Sequence, residues 1–316
     1  MSVRRRPLLA AAALAVPVGL RAQQMPQAGR RDWATQIPVL RIGVLGGENE
    51  ADRLGRFGGY QKLLEETFQV PVRLYMAADY GGVVQAFAAR QVEMSYMSPA
   101  AYAAAWLESD GNVEPILVSV EADGSTHYVA MMYVRADSSI RTLQDMRGRA
   151  MAWSDPNSAS GYLIPRAVLR GQGIDPDKFF GRTGFAGGHE QAVIAVLQRQ
   201  YDAGVAWTSG IGDAAKGYSR GALTAMVEKG LLDMKDLRVI WISQPIQNGP
   251  VVIRRDLPAS FRQDMIDFHM ALPRTHPDIH RAIERGSSVG WVPTRHEAYQ
   301  LFIDMRRAEA TARRAR

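Results

Sequence analysis

The chain contains no cysteine among its 316 residues. This absence excludes disulfide bonds, thiolate nucleophiles and cysteine-ligated metals, although it is compatible with an oxidising compartment. The sequence also lacks a phosphate-binding loop of the form G-x-x-x-x-G-K-[ST], and no group of His, Asp and Glu has convincing metal-site spacing. We therefore predict no metal and no cofactor. With 47% hydrophobic and 22% charged residues, the composition is typical of a globular protein of about two domains.

The N-terminus has the composition of an export signal. Arg4-Arg5-Arg6 precedes an apolar run over residues 8–18, and Ala22 offers a small residue for cleavage. The run is too short to span a bilayer comfortably. Pro17 and Gly19 interrupt it, which disfavours the alternative of an amphipathic helix in the mature fold. We predict a signal peptide over residues 1–22 and a periplasmic location, and the paired arginines also permit the twin-arginine route.

Cleavage of this segment changes the charge of the protein. The full chain carries 38 Lys and Arg against 32 Asp and Glu, a formal net charge of +6. Removal of residues 1–22 takes away four arginines and no acid, so the mature chain has a net charge of +2. We therefore predict no nucleic-acid partner. Arg306-Arg307 and the arginines after residue 312 are interpreted as a solvated helix end or a frayed tail.

Strand-like and helix-like segments alternate along the chain. Val39–Leu45 has the pattern of a buried strand, and Tyr60–Phe68 has helical spacing. The alternation favours an α/β protein with two lobes, each a mostly parallel sheet flanked by helices, joined by two crossing segments. Ligands bind such sheets beyond the carboxyl ends of their strands, here between the lobes. The predicted division is a linker over 23–36, a first lobe over 37–135 and 242–316, and a second lobe over 136–241.

The most informative motif is Asp155-Pro156-Asn157-Ser158-Ala159-Ser160-Gly161, which stands between a predicted strand and a predicted helix. A helix N-terminus presents unpaired N–H groups and a partial positive charge, so it favours an anion. Ser158 and Ser160 add hydroxyl donors, and we interpret Gly161 as leaving room for a bound oxyanion. Ordinary N-capping by Ser158 or Ser160, without any ligand, is the alternative.

A second motif, Gly217-Tyr218-Ser219-Arg220-Gly221, matches the nucleophile elbow G-x-S-x-G of serine hydrolases. That elbow requires a buried strand immediately before it. Residues 212–216 do not have a strand pattern, so we predict that the protein is not an enzyme. A secreted hydrolase that uses Ser219 is retained only as an alternative.

Four segments together resemble a known family. They are Asp79-Tyr80-Gly81-Gly82-Val83-Val84-Gln85, Glu121-Ala122-Asp123-Gly124-Ser125, the Asp155–Gly161 motif and Gly187-Gly188-His189-Glu190. In combination they are similar to the periplasmic phosphonate-binding proteins, the substrate-binding components of phosphonate, phosphite and phosphate ABC transporters. The resemblance extends over residues 39–300. It implies a type II periplasmic-binding-protein fold, capture of a small phosphorus oxyanion between the lobes, and delivery to an ABC permease. A periplasmic ligand sensor of the same fold is the alternative.

The resemblance also implies which residues bind the ligand. Ser158 and Ser160 match the family's hydroxyl donors, and Ala159 retains only its backbone N–H where relatives often carry a further hydroxyl. His189 matches a family histidine that donates to the oxyanion. Tyr80 and Tyr96 match family tyrosines, whereas Met97 replaces a second aromatic residue that contacts the ligand in some relatives.

Departures from the family pattern bear on specificity. Relatives that bind aminoalkyl phosphonates pair the ammonium with carboxylates, and the matching positions here carry Ser209 and Gly249. A buried ammonium without an anionic partner is costly. We therefore expect such ligands to be disfavoured unless Glu48 or Glu50 supplies the charge.

Some residues receive only a minor role or none. Asp123, Ser125 and Tyr128 are candidates for the hinge, although Asp-Gly-Ser is also simple turn chemistry. The remaining histidines are predicted to lie on surface segments without a function; they are His127, His269, His276, His280 and His296.

Overall fold

The computed structural model describes residues 24–47 and 49–314. The predicted signal peptide lies outside this range, as does Glu48. No helix within the described part of the chain is both long enough and apolar enough to cross a membrane.

The described residues form twelve strands, numbered in chain order. They are β1 Leu40–Val44, β2 Val72–Met76, β3 Met94–Tyr96, β4 Val113–Val120, β5 His127–Arg135, β6 Ala150–Trp153, β7 Arg182–Phe185, β8 Ala203–Thr208, β9 Leu237–Ile242, β10 Ile246–Gln247, β11 Pro250–Arg254 and β12 Gly290–Pro293.

The same range forms ten α-helices. They are α1 Glu50–Phe68, α2 Tyr80–Ala88, α3 Pro99–Glu108, α4 Ile164–Gly171, α5 Pro176–Phe179, α6 His189–Leu197, α7 Ala222–Glu228, α8 Ala259–Thr275, α9 Pro277–Glu284 and α10 Gln300–Arg314. A π-helical turn, Ala159–Leu163, precedes α4.

The strands form two separate sheets. The first has the order β12-β4-β11-β3-β1-β2, and the second has the order β10-β5-β8-β6-β7 with β9 also paired to β5. This confirms the predicted α/β class with two sheets. Both sheets are mixed rather than mostly parallel, because β4, β11 and β12 pair antiparallel in the first sheet and β5 pairs antiparallel with all its neighbours in the second.

The chain does not pass from one sheet to the other at the predicted lobe boundaries. Strand β5 was assigned to the first lobe, but it pairs with β8 and β9 in the second sheet. Strands β9 and β10 also belong to that sheet, and the chain returns only at β11. The segments that connect the sheets are therefore residues 121–126 and 248–249. Apolar strand patterns alone could not distinguish which sheet would accept β5.

The segment predicted as a linker is partly built into the core. Trp33 lies in a 3₁₀ turn and is 1% exposed. Its ring packs edge-on against Phe261, and its Nε1 donates to Asp264 Oδ2 at 2.8 Å. The polar residues around Trp33 gave this segment the composition of a linker, so the burial of Trp33 was not predicted.

The predicted surface location is wrong for two of the histidines. His269 is 0% exposed and His280 is 5% exposed. His269 lies on α8, where its Nε2 faces the hydroxyls of Tyr60 and Tyr96, and His280 packs against Trp291. Arg306 also departs from prediction, because it donates to Pro156 O at 2.8 Å instead of extending into solvent.

Candidate functional site

The Asp155–Gly161 motif folds as predicted into a strand-to-helix connection, with local features that the sequence did not reveal. Ser158 Oγ accepts from Gly161 N at 2.9 Å, so the serine does cap the π-helical turn. Pro165 has no N–H to offer the carbonyl of Gly161. That carbonyl instead accepts from Ser154 N at 3.1 Å, which ties the turn to the end of β6.

Gly161 makes room for serines rather than for a ligand. A Cβ at this position would lie closer than 3.0 Å to the side-chain oxygens of Ser154 and Ser158. The glycine therefore permits Ser154 to approach the turn. This corrects the interpretation that its missing Cβ spares a bound oxyanion.

His189 joins both serines in one buried network. The residue begins α6 and is 4% exposed. Its Nε2 lies 3.1 Å from Ser158 Oγ, and its Nδ1 lies 2.9 Å from Ser154 Oγ and 3.2 Å from Val205 O. Burial lowers the pKa of His189 to about 4, so its ring is neutral at neutral pH.

Ser160, Tyr128 and Tyr80 lie on adjoining parts of the same site. Ser160 is 2% exposed, and its hydroxyl interacts with the phenol of Tyr128. Burial raises the pKa of Tyr128, and the neighbouring phenol of Tyr80 contributes to the same shift. Tyr128 therefore stays protonated and can donate a hydrogen bond. Asp123 and Ser125, by contrast, form only an exposed turn, in which Asp123 Oδ1 accepts from Ser125 N at 2.9 Å.

A cavity of about 160 Å³ lies between the two sheets. Of the predicted site residues, Tyr80, Tyr96, Ser158, Ser160 and His189 line it. A dry cavity of similar size accepts one benzene-sized molecule, so the volume suits a single small ligand. The buried side chain of Ala159 is not among the described lining residues.

Tyr96 lines the cavity with its ring, while its hydroxyl is engaged elsewhere. Tyr96 Oη lies 2.8 Å from Nε2 of His269, which also lies 3.0 Å from Tyr60 Oη. Nδ1 of His269 lies 2.6 Å from Met265 O, a carbonyl that can only accept, so Nε2 accepts from the tyrosines. Tyr96 thus presents an aromatic wall rather than a donor to the cavity.

Several contacts close the gap between the two sheets around this cavity. Tyr80 N donates to Asp155 Oδ2 at 3.2 Å, and Ser98 Oγ donates to Asn157 O at 2.7 Å. At the rim, Lys229 Nζ lies 2.8 Å from Asp52 Oδ2 and 2.9 Å from Glu190 Oε1. The structure therefore represents a closed arrangement of the two lobes.

The cavity also has charged walls that sequence inspection missed. Arg56, Arg220, Glu284 and Arg285 line it. Arg220 Nη1 donates to Glu284 Oε2 at 2.7 Å, and its Nε donates to Glu121 Oε1 at 3.1 Å. Arg56, Arg220 and the Glu284-Arg285 pair are distant from one another in the sequence. Arg220 lies within the Gly217–Gly221 motif, but that motif was considered only for Ser219. Only Ser154 had a local signal, since it directly precedes the Asp-Pro-Asn-Ser motif.

Neither of the positions that the family resemblance matches to carboxylates supplies one here. Gly249 lines the cavity, but a Cβ there would lie closer than 3.0 Å to the backbone carbonyl of Met97. Ser209 Oγ lies 2.8 Å from Ser219 Oγ and outside the described lining residues. Glu50 is exposed at the start of α1. The residues before Ser219 form a 3₁₀ turn, Ala214–Lys216, rather than the strand of a nucleophile elbow.

Comparison with known proteins decides the family. Residues 42–299 match the model of the periplasmic substrate-binding proteins of phosphonate ABC transporters. The chain belongs to this family. The protein is thus the substrate-binding component of an ABC importer, and its two-sheet architecture is the type II periplasmic-binding-protein fold.

This chain is moderately similar in sequence to individual members of the family. It is 28% identical over 275 residues to the phosphonates-binding periplasmic protein of Escherichia coli K12, covering 86% of this chain and 76% of that protein. It is 27% identical over 242 residues to the phosphate-import protein PhnD of Mycolicibacterium smegmatis, covering 72% of each. Among solved structures, PhnD1 of Prochlorococcus marinus in complex with methylphosphonate shares the fold, with a TM-score of 0.71, 16% identity and coverage of 86% of this chain and 98% of that one.

Proposed function

We propose that this binding protein captures one small phosphorus oxyanion, a phosphonate, phosphite or phosphate, in the cavity between its lobes. The observation that carries the proposal is the convergence of Ser158, Ser160 and His189 from one lobe with Tyr80 from the other on a single cavity. Hydrogen bonds from such donors to an anion are about twice as strong as those between neutral partners. Closure of the lobes would bury the anion among them.

The proposed donors are hydroxyls, backbone N–H groups and the imidazole of His189. Ser160 and Tyr128 interact through their hydroxyls, and both side chains are buried. A tetrahedral oxyanion that replaces this mutual contact would accept from both. No cluster of three or more His, Asp or Glu side chains able to hold a metal occurs in the described ranges.

The substituent on phosphorus is proposed to be small and uncharged. The carboxylates of Glu121 and Glu284 are already paired with Arg220, and Gly249 offers no anionic side chain. An ammonium group in the cavity would therefore displace an existing ion pair or stay unpaired, and either is costly. Hydrogen, a hydroxyl or a methyl group fits these walls better than an aminoalkyl chain.

We further propose that the protein performs no chemistry on its ligand and transfers it to an inner-membrane ABC permease. The matching family is one of periplasmic substrate-binding proteins, and one relative is by name a phosphonates-binding periplasmic protein. Ser219 has a serine rather than a histidine within hydrogen-bonding distance in the described contacts, so the general base of a hydrolase is not provided there. The predicted signal peptide and its export route remain predictions.

Isothermal titration with a panel of anions tests the proposed ligand class. The panel contains methylphosphonate, phosphite, phosphate, 2-aminoethylphosphonate and sulfate. We expect at least one of the first three to bind, and 2-aminoethylphosphonate to bind more weakly than methylphosphonate. Failure of every phosphorus oxyanion to bind would refute the proposal, and a preference for 2-aminoethylphosphonate would refute the argument about the substituent.

A further inference from the structure

The charges around the cavity are unequal. Arg56, Arg220 and Arg285 line it, whereas Glu284 is the one acidic residue among the described lining residues. Glu121 lies behind Arg220 and is fully buried. Three basic residues and two acidic residues are therefore concentrated at this wall of the cavity.

The three arginines have different surroundings. Arg220 is held between Glu121 and Glu284, and its charge is therefore already paired within the protein. Arg56 Nη1 lies 3.3 Å from the carbonyls of Ala282 and Ile283, where it stabilises the last turn of α9. Arg285 follows directly at the end of that helix.

Arg285 occupies a backbone conformation that normally favours glycine. Its φ is 59° and its ψ is 51°, and its N–H donates to Arg281 O to end α9. Glycine is the usual residue at this left-handed position because a Cβ is disfavoured there. Arg285 combines this backbone conformation with a position among the residues that line the cavity.

Closure of the lobes places Arg285 at the cavity. Its carbonyl accepts from Gly221 N at 3.3 Å, and Ser287 N donates to Ser219 O at 2.9 Å. Gly286 forms an isolated bridge with Arg220 between these two bonds. The backbone on both sides of Arg285 is therefore held by the segment between β8 of the second sheet and α7.

We propose that Arg285 recognises the second negative charge of a dianionic oxyanion and so makes the site prefer a phosphonate to a monoanion of the same shape. The inference rests on the proposed function. The predicted donors are neutral, because His189 is neutral and the others are hydroxyls. Desolvation of a dianion is more costly than that of a monoanion, and a full positive charge at the cavity offsets that difference. Arg285 and His189 line the same cavity, and after burial, the larger cause, the positive charge of Arg285 also lowers the pKa of His189.

The decisive measurement is a ratio of two affinities. Methylphosphonate at about pH 9 is a dianion, and methanesulfonate is a monoanion of the same tetrahedral shape. Titration calorimetry gives both dissociation constants for the wild type, Arg285→Gly and Arg285→Lys. We expect the preference for methylphosphonate to fall about 10-fold or more in Arg285→Gly, as for loss of a hydrogen bond to a charged group, and to be largely retained in Arg285→Lys.

A matched control is available at Arg90, which follows α2 with a φ of 56° and is exposed. Arg90→Gly makes the same backbone change outside the cavity. It should leave the affinity ratio unchanged, and neither glycine variant should melt below the wild type, because glycine relieves the left-handed strain.

The affinity measurements distinguish failure of this inference from failure of the proposed function. An unchanged ratio in Arg285→Gly would overturn the role of Arg285 while leaving phosphonate capture intact. Equal losses for both anions would also overturn it, since they would assign Arg285 to lobe closure rather than to charge recognition. If the wild type binds neither anion and no other phosphorus oxyanion, the proposed function fails and this inference fails with it.

Discussion

Nε2 of His189 lies 3.1 Å from Oγ of Ser158. On the other side of the ring, Nδ1 lies 3.2 Å from Val205 O, which can only accept a hydrogen bond. The neutral ring therefore carries its proton on Nδ1, and Nε2 accepts from Ser158. In this state neither Ser158 nor His189 donates to the cavity. Donation by His189 to an oxyanion requires the other tautomer, in which Ser154 Oγ donates to Nδ1 from 2.9 Å.

Ligand binding should therefore change the tautomer of His189. We expect ¹⁵N NMR of the imidazole to show the proton on Nδ1 without ligand and on Nε2 with saturating methylphosphonate. Ser154→Ala removes the hydroxyl that stabilises the second tautomer, so it should weaken methylphosphonate binding by about 1 kcal/mol. A ring that keeps its proton on Nδ1 when the ligand is bound would rule out donation by His189.

Loss of the Ser160 hydroxyl should weaken binding directly. Ser160→Ala removes one donor to a charged ligand, and we expect a loss of about 1.5–3 kcal/mol in titration calorimetry. Ser139→Ala is a suitable control, because Ser139 is exposed in the connection between β5 and β6. Equal affinities of Ser160→Ala and the wild type would remove this residue from the site.

Gly188→Ala should obstruct closure of the lobes without unfolding either one. A Cβ at Gly188 would lie closer than 3.0 Å to the Cα and the carbonyl oxygen of Gly47, which belongs to the other lobe. Its φ of 171° is extended backbone that alanine adopts freely. We expect methylphosphonate affinity to fall by about tenfold or more, because the closed state becomes less populated.

The control for this substitution is Gly58→Ala on α1, where no atom lies within 4 Å of the added Cβ. That variant should bind normally and gain about 0.5–1 kcal/mol of stability. Unimpaired binding by Gly188→Ala would show that the lobes do not need this close approach.

The protein should lose stability as the pH falls from about 6.5 to about 4. Burial lowers the pKa of His189, His269 and His280 to about 4, whereas an unfolded histidine titrates near 6.5. Over this window the unfolded chain takes up protons that the native state does not bind. Each histidine therefore removes up to roughly 3 kcal/mol by pH 4. Burial raises the pKa of Asp155 and Glu284, so their protonation offsets part of the loss.

Calorimetric melting across this pH range measures the effect. His269→Gln should give a shallower decline of melting temperature than the wild type, because one of the three groups no longer titrates. His127→Gln, with an exposed side chain, should decline as the wild type does. If the melting temperature of His269→Gln declines with pH as steeply as that of the wild type, His269 is not one of the titrating groups.

Trp33→Ala should destabilise the protein although Trp33 lies in a segment with the composition of a linker. The indole is 1% exposed, packs against Phe68 and Phe261, and donates to Asp264. We expect the free energy of unfolding to fall by about 3–5 kcal/mol in denaturant titrations. Arg30→Ala, at an exposed position nearby, should change it little, and a similar small effect at Trp33 would mean that the segment is dispensable.

The alternating strands and helices and the Asp155–Gly161 motif are local, so the sequence was sufficient to predict them. Hydrophobic periodicity and turn-forming residues can be recognised within a few neighbouring residues. The pairing of β5 with β8 was not predictable in this way, because an apolar strand is compatible with either sheet. The buried Trp33 and His269 were missed for the same reason, since their partners lie more than a hundred residues away.

By itself, the sequence determined the α/β class, the family and the serines at a helix start, because these depend on neighbouring residues. Tertiary structure alone decided that Ser154 orients His189, that Gly188 must lack a side chain, and that Arg285 faces the cavity. Each of these depends on close approach between chain segments that are distant in sequence, and such approaches are set by the packing of the two lobes.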